Sequence, residues 1–282
     1  MLKAPVLALL KRPALLAASA LLLSVIPQGF AVAMVLMACA IMRLGVGALP
    51  VTLLLGAVAW LPLHANSSGL PLLVWGQVLV MALCHQRCAR WSDTLMLGTV
   101  LTVGAVMQFP EVWLRPGAEF MHILSVMRSN DVLADWLTRL PSDTAALRWI
   151  NGAAAASVFV MTSLIMILAR ALQAALFNPQ GFGREFRAFR FSPVLALAAL
   201  AMAVALWVCH QSPLAMLPLF VLAMAGIALA HALVHQRGLS NVWLCGFYTF
   251  VVLTPLGMSI VLLLGIVDAF VNIRNRLPHG QH

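Results

Sequence analysis

The sequence predicts an all-α, polytopic helical transmembrane bundle of about 8–10 membrane segments, with short proline-interrupted hairpins at both ends and amphipathic surface helices. Three observations predict it. Of 282 residues, 63% are hydrophobic and 9% charged, whereas a soluble domain carries about 25% charged residues. The apolar residues gather in long runs, as membrane-embedded segments require. Those runs lack the two-residue alternation of barrel strands, so each satisfies its own backbone hydrogen bonds as a helix.

The elements follow in chain order. Lys3, Lys11 and Arg12 precede an apolar run at 14–26, and Ala31-Val32-Ala33 imitates a leader cleavage site. The apolar character continues to Met42, so a retained first hairpin is expected, turning at Pro27-Gln28-Gly29. Further runs span 44–63, 70–83, 94–109, 150–168, 194–208, 214–234, 242–253 and 256–271. Thr254-Pro255 divides the last two, which form either a tight hairpin or one kinked element.

Charge favours hairpins at both ends. With a cytoplasmic N-terminus, thirteen of the 17 basic residues fall inside, and only Arg115, Arg128, Arg139 and Arg148 fall outside. Both termini are therefore expected in the cytoplasm, and the compartment is the bacterial inner membrane. The net charge of +9 is spread singly and in pairs beside apolar runs. That pattern matches topology and anionic lipid, and argues against nucleic acid.

The chain reads as a single membrane domain with one long polar excursion outside, residues 110–149. It holds Glu111, Glu119, Asp131, Asp135 and Asp143, five of the eight acidic residues. Phe120, Ile123, Leu124 and Met127 repeat at helical spacing, as do Leu133, Trp136, Leu137 and Leu140. Asn130 or Asp131 suits the second helix's N-cap, and Pro141 its end. Two amphipathic helices on the membrane surface follow, either a lid over an outward cavity or a plain connector.

The second excursion, residues 177–192, contains FNPQGFGREFRAFRF. Asn178-Pro179 and Gly181 stop the preceding helix. Phe182, Phe186 and Phe189 then share one helical face, and Arg184, Arg187 and Arg190 the other. A short interfacial helix is expected, with phenyl rings at acyl chains and guanidinium groups at phosphates. Membrane anchoring and docking of a cytoplasmic partner both fit it.

Asp268 lies deep in an apolar run, where a carboxylate costs at least about 2.5–3.5 kcal/mol unless it finds a partner. Asn272 is one turn on and Arg274 nearer the interface. A ligand or proton contact and a structural polar clasp both fit. Asn151, Gln108, Tyr248, Gln28, Gln77, Thr249 and Thr254 are scattered polar groups that could line a small-molecule pocket or join helices. His231 with His235, and Cys84-His85 with Cys88, lack converging metal ligands. No metal, cofactor, catalytic acid–base pair or phosphate-cradling glycine loop is expected. Ala14 with Ala18, and Gly152 with Ala156, have small-residue spacing for close helix contact.

FNPQGFGREFRAFRF resembles the NP-x-GF-x-x-EFR segment of the YybS-like predicted membrane proteins, a bacterial family of unknown function. Tyr248, Pro255, Gly265-x-x-Asp268 and Arg274 are similar to that family's closing helix. The family is thought to be distantly similar to the substrate-binding S components of energy-coupling-factor transporters. The resemblance implies a small-molecule pocket open to the outside and a docking surface inside for a membrane or ATPase partner. The expected function is a substrate-binding or transport-associated membrane component, without enzymatic activity. The alternative is a scaffold that recruits a cytoplasmic partner through the basic-aromatic loop. Under the first, Asp268, Tyr248, Asn272, Asn151 and Gln108 are ligand or gate candidates; under the scaffold reading there is no ligand, and in both Phe182, Phe186, Phe189, Arg184, Arg187 and Arg190 contact lipid or partner.

Overall fold

A computed structural model describes residues 13–24, 29–64, 70–108, 118–140 and 142–276. Lys3, Lys11, Arg12, Pro27, Gln28, residues 110–117 and Pro141 lie outside the described residues, as do the side chains of Ala14, Glu119, Phe120 and Trp136. Every regular element described is helical. In order they are α1 (Pro13–Ser24), α2 (Gly29–Leu44), a 3₁₀ turn (Gly45–Ala48), α3 (Leu49–His64), α4 (Leu70–Cys88), α5 (Trp91–Gln108), α6 (Ala118–Arg128) and α7 (Asp131–Thr138). Then follow α8 (Asp143–Phe177), α9 (Gly181–Ala188), α10 (Pro193–Val208), α11 (Ser212–Gln236), α12 (Val242–Leu253), α13 (Pro255–Val271) and α14 (Ile273–Arg276).

Two described helices are long and apolar enough to cross a membrane, Asp143–Phe177 and Pro213–Gln236. Counting each of two bent pairs as one span raises the number to four. The other apolar runs form helices shorter than a perpendicular crossing; Gly45 and Pro255 mark two of the breaks, while left-handed turns at Ala89 and His210 follow α4 and α10. The 12 residues of α12, for example, reach about 18 Å against a hydrocarbon core of about 30 Å. The α12–α13 pair bends by 116°, past a right angle, so this pair folds back on itself. Thr254 makes the corner: its hydroxyl accepts from Gly257 N at 3.0 Å, and Pro255 opens α13.

α8 is the spine. Ser142 caps its first turn through Ala145 N, and Asn178 ends it. At 35 residues it reaches about 52 Å, so it extends beyond a bilayer core. Its N-terminal turns carry a small separate core of Leu124 and Ala146, flanked by Leu137, Leu140, Leu147 and Ile150. Leu124 of α6 and Leu137 of α7 thus pack onto α8 rather than lying wholly against lipid. Asn130 caps α7 by accepting from Leu133 N at 3.2 Å.

The main core joins residues from Ala20 to Ala269. In it, α11 and α13 run parallel and touch through their backbones. A Cβ on Gly226 would lie 1.9 Å from Val261 O, and one on Gly265 would lie 2.0 Å from Leu222 O. Further on, Gln236 Nε2 donates to Arg274 O at 3.1 Å, keeping the two helices in the same register. Between α4 and α5, Gln77 donates to Gly98 O and to Thr102 Oγ1. Gln77 is therefore hydrogen-bond glue between helices.

Candidate functional site: the α9 wedge and two clefts

The connections bring one set of helix ends together. α2, α4, α8, α11 and α13 end where α9 sits, and the connector α6–α7 occupies the opposite end of α8. Gly181 starts α9 hard against the preceding turn, since a Cβ there would meet Asn178 Nδ2 at 2.5 Å. The helix then wedges back into the bundle. Phe189 and Phe191 are buried, and Phe182 and Phe186 pack against the main core. The phenyl face therefore meets protein, where the sequence had suggested acyl chains. The buried Phe189 and Phe191, with Phe182 and Phe186 half-buried against the core, are better served by apolar protein than by a boundary shared with headgroups.

Rings continue on both sides of α9. His85 and Trp91 lie with centroids 4.5 Å apart, and Trp91 meets Phe182 edge-on at 6.4 Å. Phe182 stacks on Phe186, and Phe186 meets His231 at 5.3 Å. His231 Nε2 is 2.7 Å from the Tyr248 hydroxyl. His85 Nδ1 is 3.2 Å from Thr94 Oγ1. Arg43 stacks over Phe177, 3.5 Å from its centroid.

Two ion pairs pin the wedge. Arg170 of α8 grips Glu185 of α9 with two nitrogens, one at 2.8 Å, and donates to Gln173 Oε1 at 2.9 Å. At the other side, fully buried Asp268 lies 3.1 Å from Arg274 Nε. That contact meets the distance of an ion pair but not the alignment of a hydrogen bond. The second carboxylate oxygen accepts from Ile273 N at 3.0 Å. Asn272, in the left-handed region at φ 53°, turns the chain so that Arg274 points back. Arg274 then donates to Arg187 O, and to Phe189 O at 2.7 Å, capping the end of α9. Burial lowers the Arg274 pKa from its ordinary value, and the Asp268 charge opposes that shift.

The arginine trio separates. Arg184 is exposed. Arg187 lends its carbonyl to Arg274, and Arg190 donates to Ala269 O at 3.2 Å. The ligand candidates separate too. Asp268 and Asn272 belong to the clasp, and Tyr248 faces His231. Asn151 is buried in α8, 26 residues before Phe177 and thus about 39 Å along the helix. Gln108 is exposed at the far end of α5. These residues do not meet in one pocket.

Two open clefts exist elsewhere. One, of about 580 Å³, lies at the connector end between Leu140, Ala145, Arg148, Trp149, Trp207, Val208 and His210. The other, of about 570 Å³, lies at the α9 end between the α2–α3 corner and α4. Among the described residues, no three His, Cys, Asp or Glu side chains gather as a metal site.

Sequence reasoning missed Arg170–Glu185 and Gly226. Glu185 carried a signal, as the lone acid in a basic loop. Gly226 carried little, because small residues are common throughout this chain. Comparison with protein-family models, curated proteins and solved structures finds no match.

Proposed function

We propose that this is a multi-pass protein of the bacterial cytoplasmic membrane that captures a small anionic amphiphile at its outer end. The cleft of about 580 Å³ beside α7 carries this reading. Leu140, Trp149, Trp207 and Val208 offer an apolar wall, while Arg148 offers a cation and His210 a polar ring. That division suits a ligand with an apolar body and an anionic head. The resemblance to the YybS-like family, and through it to S components, points to the same kind of outward pocket. Transport energy then comes from a partner, since the sequence holds no phosphate-cradling loop.

The orientation rests on charge. Arg43, Arg87, Arg90, Arg184, Arg237 and Arg276 are exposed at the α9 end, and among the described residues none has an ion-pair partner. At the connector end Arg128 and Arg139 pair with Asp143 and Asp135. The uncompensated end faces the cytoplasm, with both termini. In this orientation the short apolar helices, tilted or paired, make up the 8–10 membrane segments.

The test is quenching of tryptophan fluorescence by bromodecanoate, with the protein in neutral nanodiscs. Saturable quenching that weakens in Arg148→Ala and loses amplitude in Trp207→Phe supports the cleft. Linear quenching, equal in all variants, reflects partition into lipid and overturns the proposal.

A second reading is a scaffold, favoured by the exposed arginine rim. Arg184 is its best probe, because substituting Arg190 would also break the bond to Ala269. Loss of a co-purifying protein in Arg184→Ala, with the fold intact, supports it.

A further inference from the structure

We infer that the cleft at the α9 end is a binding site for one anionic phospholipid, separate from the outer cleft. Its geometry is that of a headgroup clamp above an acyl groove. Leu79, Leu83 and Arg87 recur every four residues on α4, so they form one stripe about 12 Å long. Arg87 stands at the end of the stripe in the last turn of α4, exposed and without an ion-pair partner among the described residues. Leu44 and Leu49 line the cleft from the α2–α3 corner. Leu49 and Leu83 are themselves exposed on the bundle surface, so the groove communicates with surrounding lipid.

The end of the cleft beside Arg87 is polar by construction. Gly45 adopts φ +55° in the 3₁₀ turn, a conformation that suits glycine. Gln86 packs its side-chain amide onto the bare face of that glycine, where a Cβ would lie 2.6 Å from Nε2. Gln86 and Arg87 together present hydrogen-bond donors at the interface, while everything deeper is aliphatic except Thr52. The Thr52 hydroxyl is occupied by Leu49 O at 2.8 Å. A cation with amide donors at the bilayer surface recognises phosphate, and the aliphatic stripe recognises an acyl chain. The volume of about 570 Å³ falls within the roughly 300–1,000 Å³ of small-ligand sites. Arg43 at the end of α2 and Arg90 just beyond α4 add positive field at the same end.

Native mass spectrometry tests this, with the whole protein in micelles containing equal phosphatidylglycerol and phosphatidylcholine. One phosphatidylglycerol should be retained in preference to phosphatidylcholine. Arg87→Gln should lower that bound fraction about fivefold, the effect of one interfacial cation. Leu83→Trp should lower it comparably with every charge intact, by filling the groove. Arg237→Gln, an exposed arginine outside the cleft, should leave it unchanged. Soluble glycerol phosphate should not displace it. Equal loss in Arg87→Gln and Arg237→Gln would reduce the effect to diffuse attraction by the rim, and overturn the site. Equal retention of both lipids, or insensitivity to Leu83→Trp, would overturn it as well.

Discussion

Asp268 and Arg274 show how one residue's cost becomes another's constraint. A carboxylate in an apolar helix must be neutralised or paired. Here it is paired within six residues of chain, by a left-handed turn at Asn272. The pair then reaches outward, because Arg274 also caps α9. Removing one partner of a buried pair strands the other charge, at about 3–5 kcal/mol. Arg274→Leu should therefore lower the thermal midpoint in detergent strongly. The double variant Asp268→Leu/Arg274→Leu should recover part of that loss, leaving the uncapped α9 as the remainder. A double variant no more stable than the single one would show that the pair's charges are not the controlling interaction. Glu185→Gln should cost less, since its side chain is about a third exposed and water screens the Arg170 contact. The need for a partner near Asp268 was readable from its apolar surroundings, but a spacing of six puts Arg274 on another helical face, so the pairing depends on the left-handed turn at Asn272. The capping of α9 was not readable, because more than eighty residues separate the two ends of those hydrogen bonds.

Among elements, the α11–α13 contact is the most constrained. Both would-be Cβ atoms fall on backbone oxygens, which cannot rotate away as a side chain can. Gly226→Ala or Gly265→Ala must separate the helices, and overpacking of this kind costs about 1–3 kcal/mol or more. Gly246→Ala, with nothing within 4 Å, serves as the neutral control in the same thermal assay. Gly98→Ala should fall between, since the nearest atom is the flexible Met81 sulfur at 2.8 Å. Equal midpoints for all four would refute close backbone packing. At α10, Ser192→Ala should cost about 1 kcal/mol, because Ser192 Oγ accepts from Leu195 N ahead of a proline-started helix. Element positions were partly legible: Asn178-Pro179 and Thr254-Pro255 end helices as read, whereas the run at 150–168 is the middle of a 35-residue helix and α4 ends before Ala89 with no proline or glycine to mark it. Contacts between elements were not legible, because in an alanine-rich chain small-residue spacing occurs almost everywhere.

At the scale of the molecule, charge is distributed unevenly between the two ends of the bundle. Helix ends gather around α9, where the exposed arginines have no ion-pair partner among the described residues, whereas at the connector end Arg128 and Arg139 pair with Asp143 and Asp135 and Arg148 lines the outer cleft. Reporter fusions check the orientation we propose. A fluorescent protein fused after His282 should be bright in cells, and a cysteine at Arg139 should react with an impermeant maleimide from outside. A dark fusion together with an unreactive cysteine would reverse the topology. The α9 wedge also has a global consequence. It ties α8, α11 and α13 through Glu185, the phenyl rings and the Arg274 cap, so loss of the wedge should loosen the whole end rather than one helix.

By itself the sequence determined that the chain is helical and strongly apolar, and where proline ends several of its helices. Those properties follow from composition and local period, and each needs only a few neighbouring residues. The tertiary structure decided which way the α9 phenyl groups face, which carboxylate each buried arginine meets, and where clefts open. Those depend on residues distant in the chain arriving at one place. Arg170 meets Glu185 because α9 turns back, and Arg87 heads a groove because α2, α3 and α4 converge beside it.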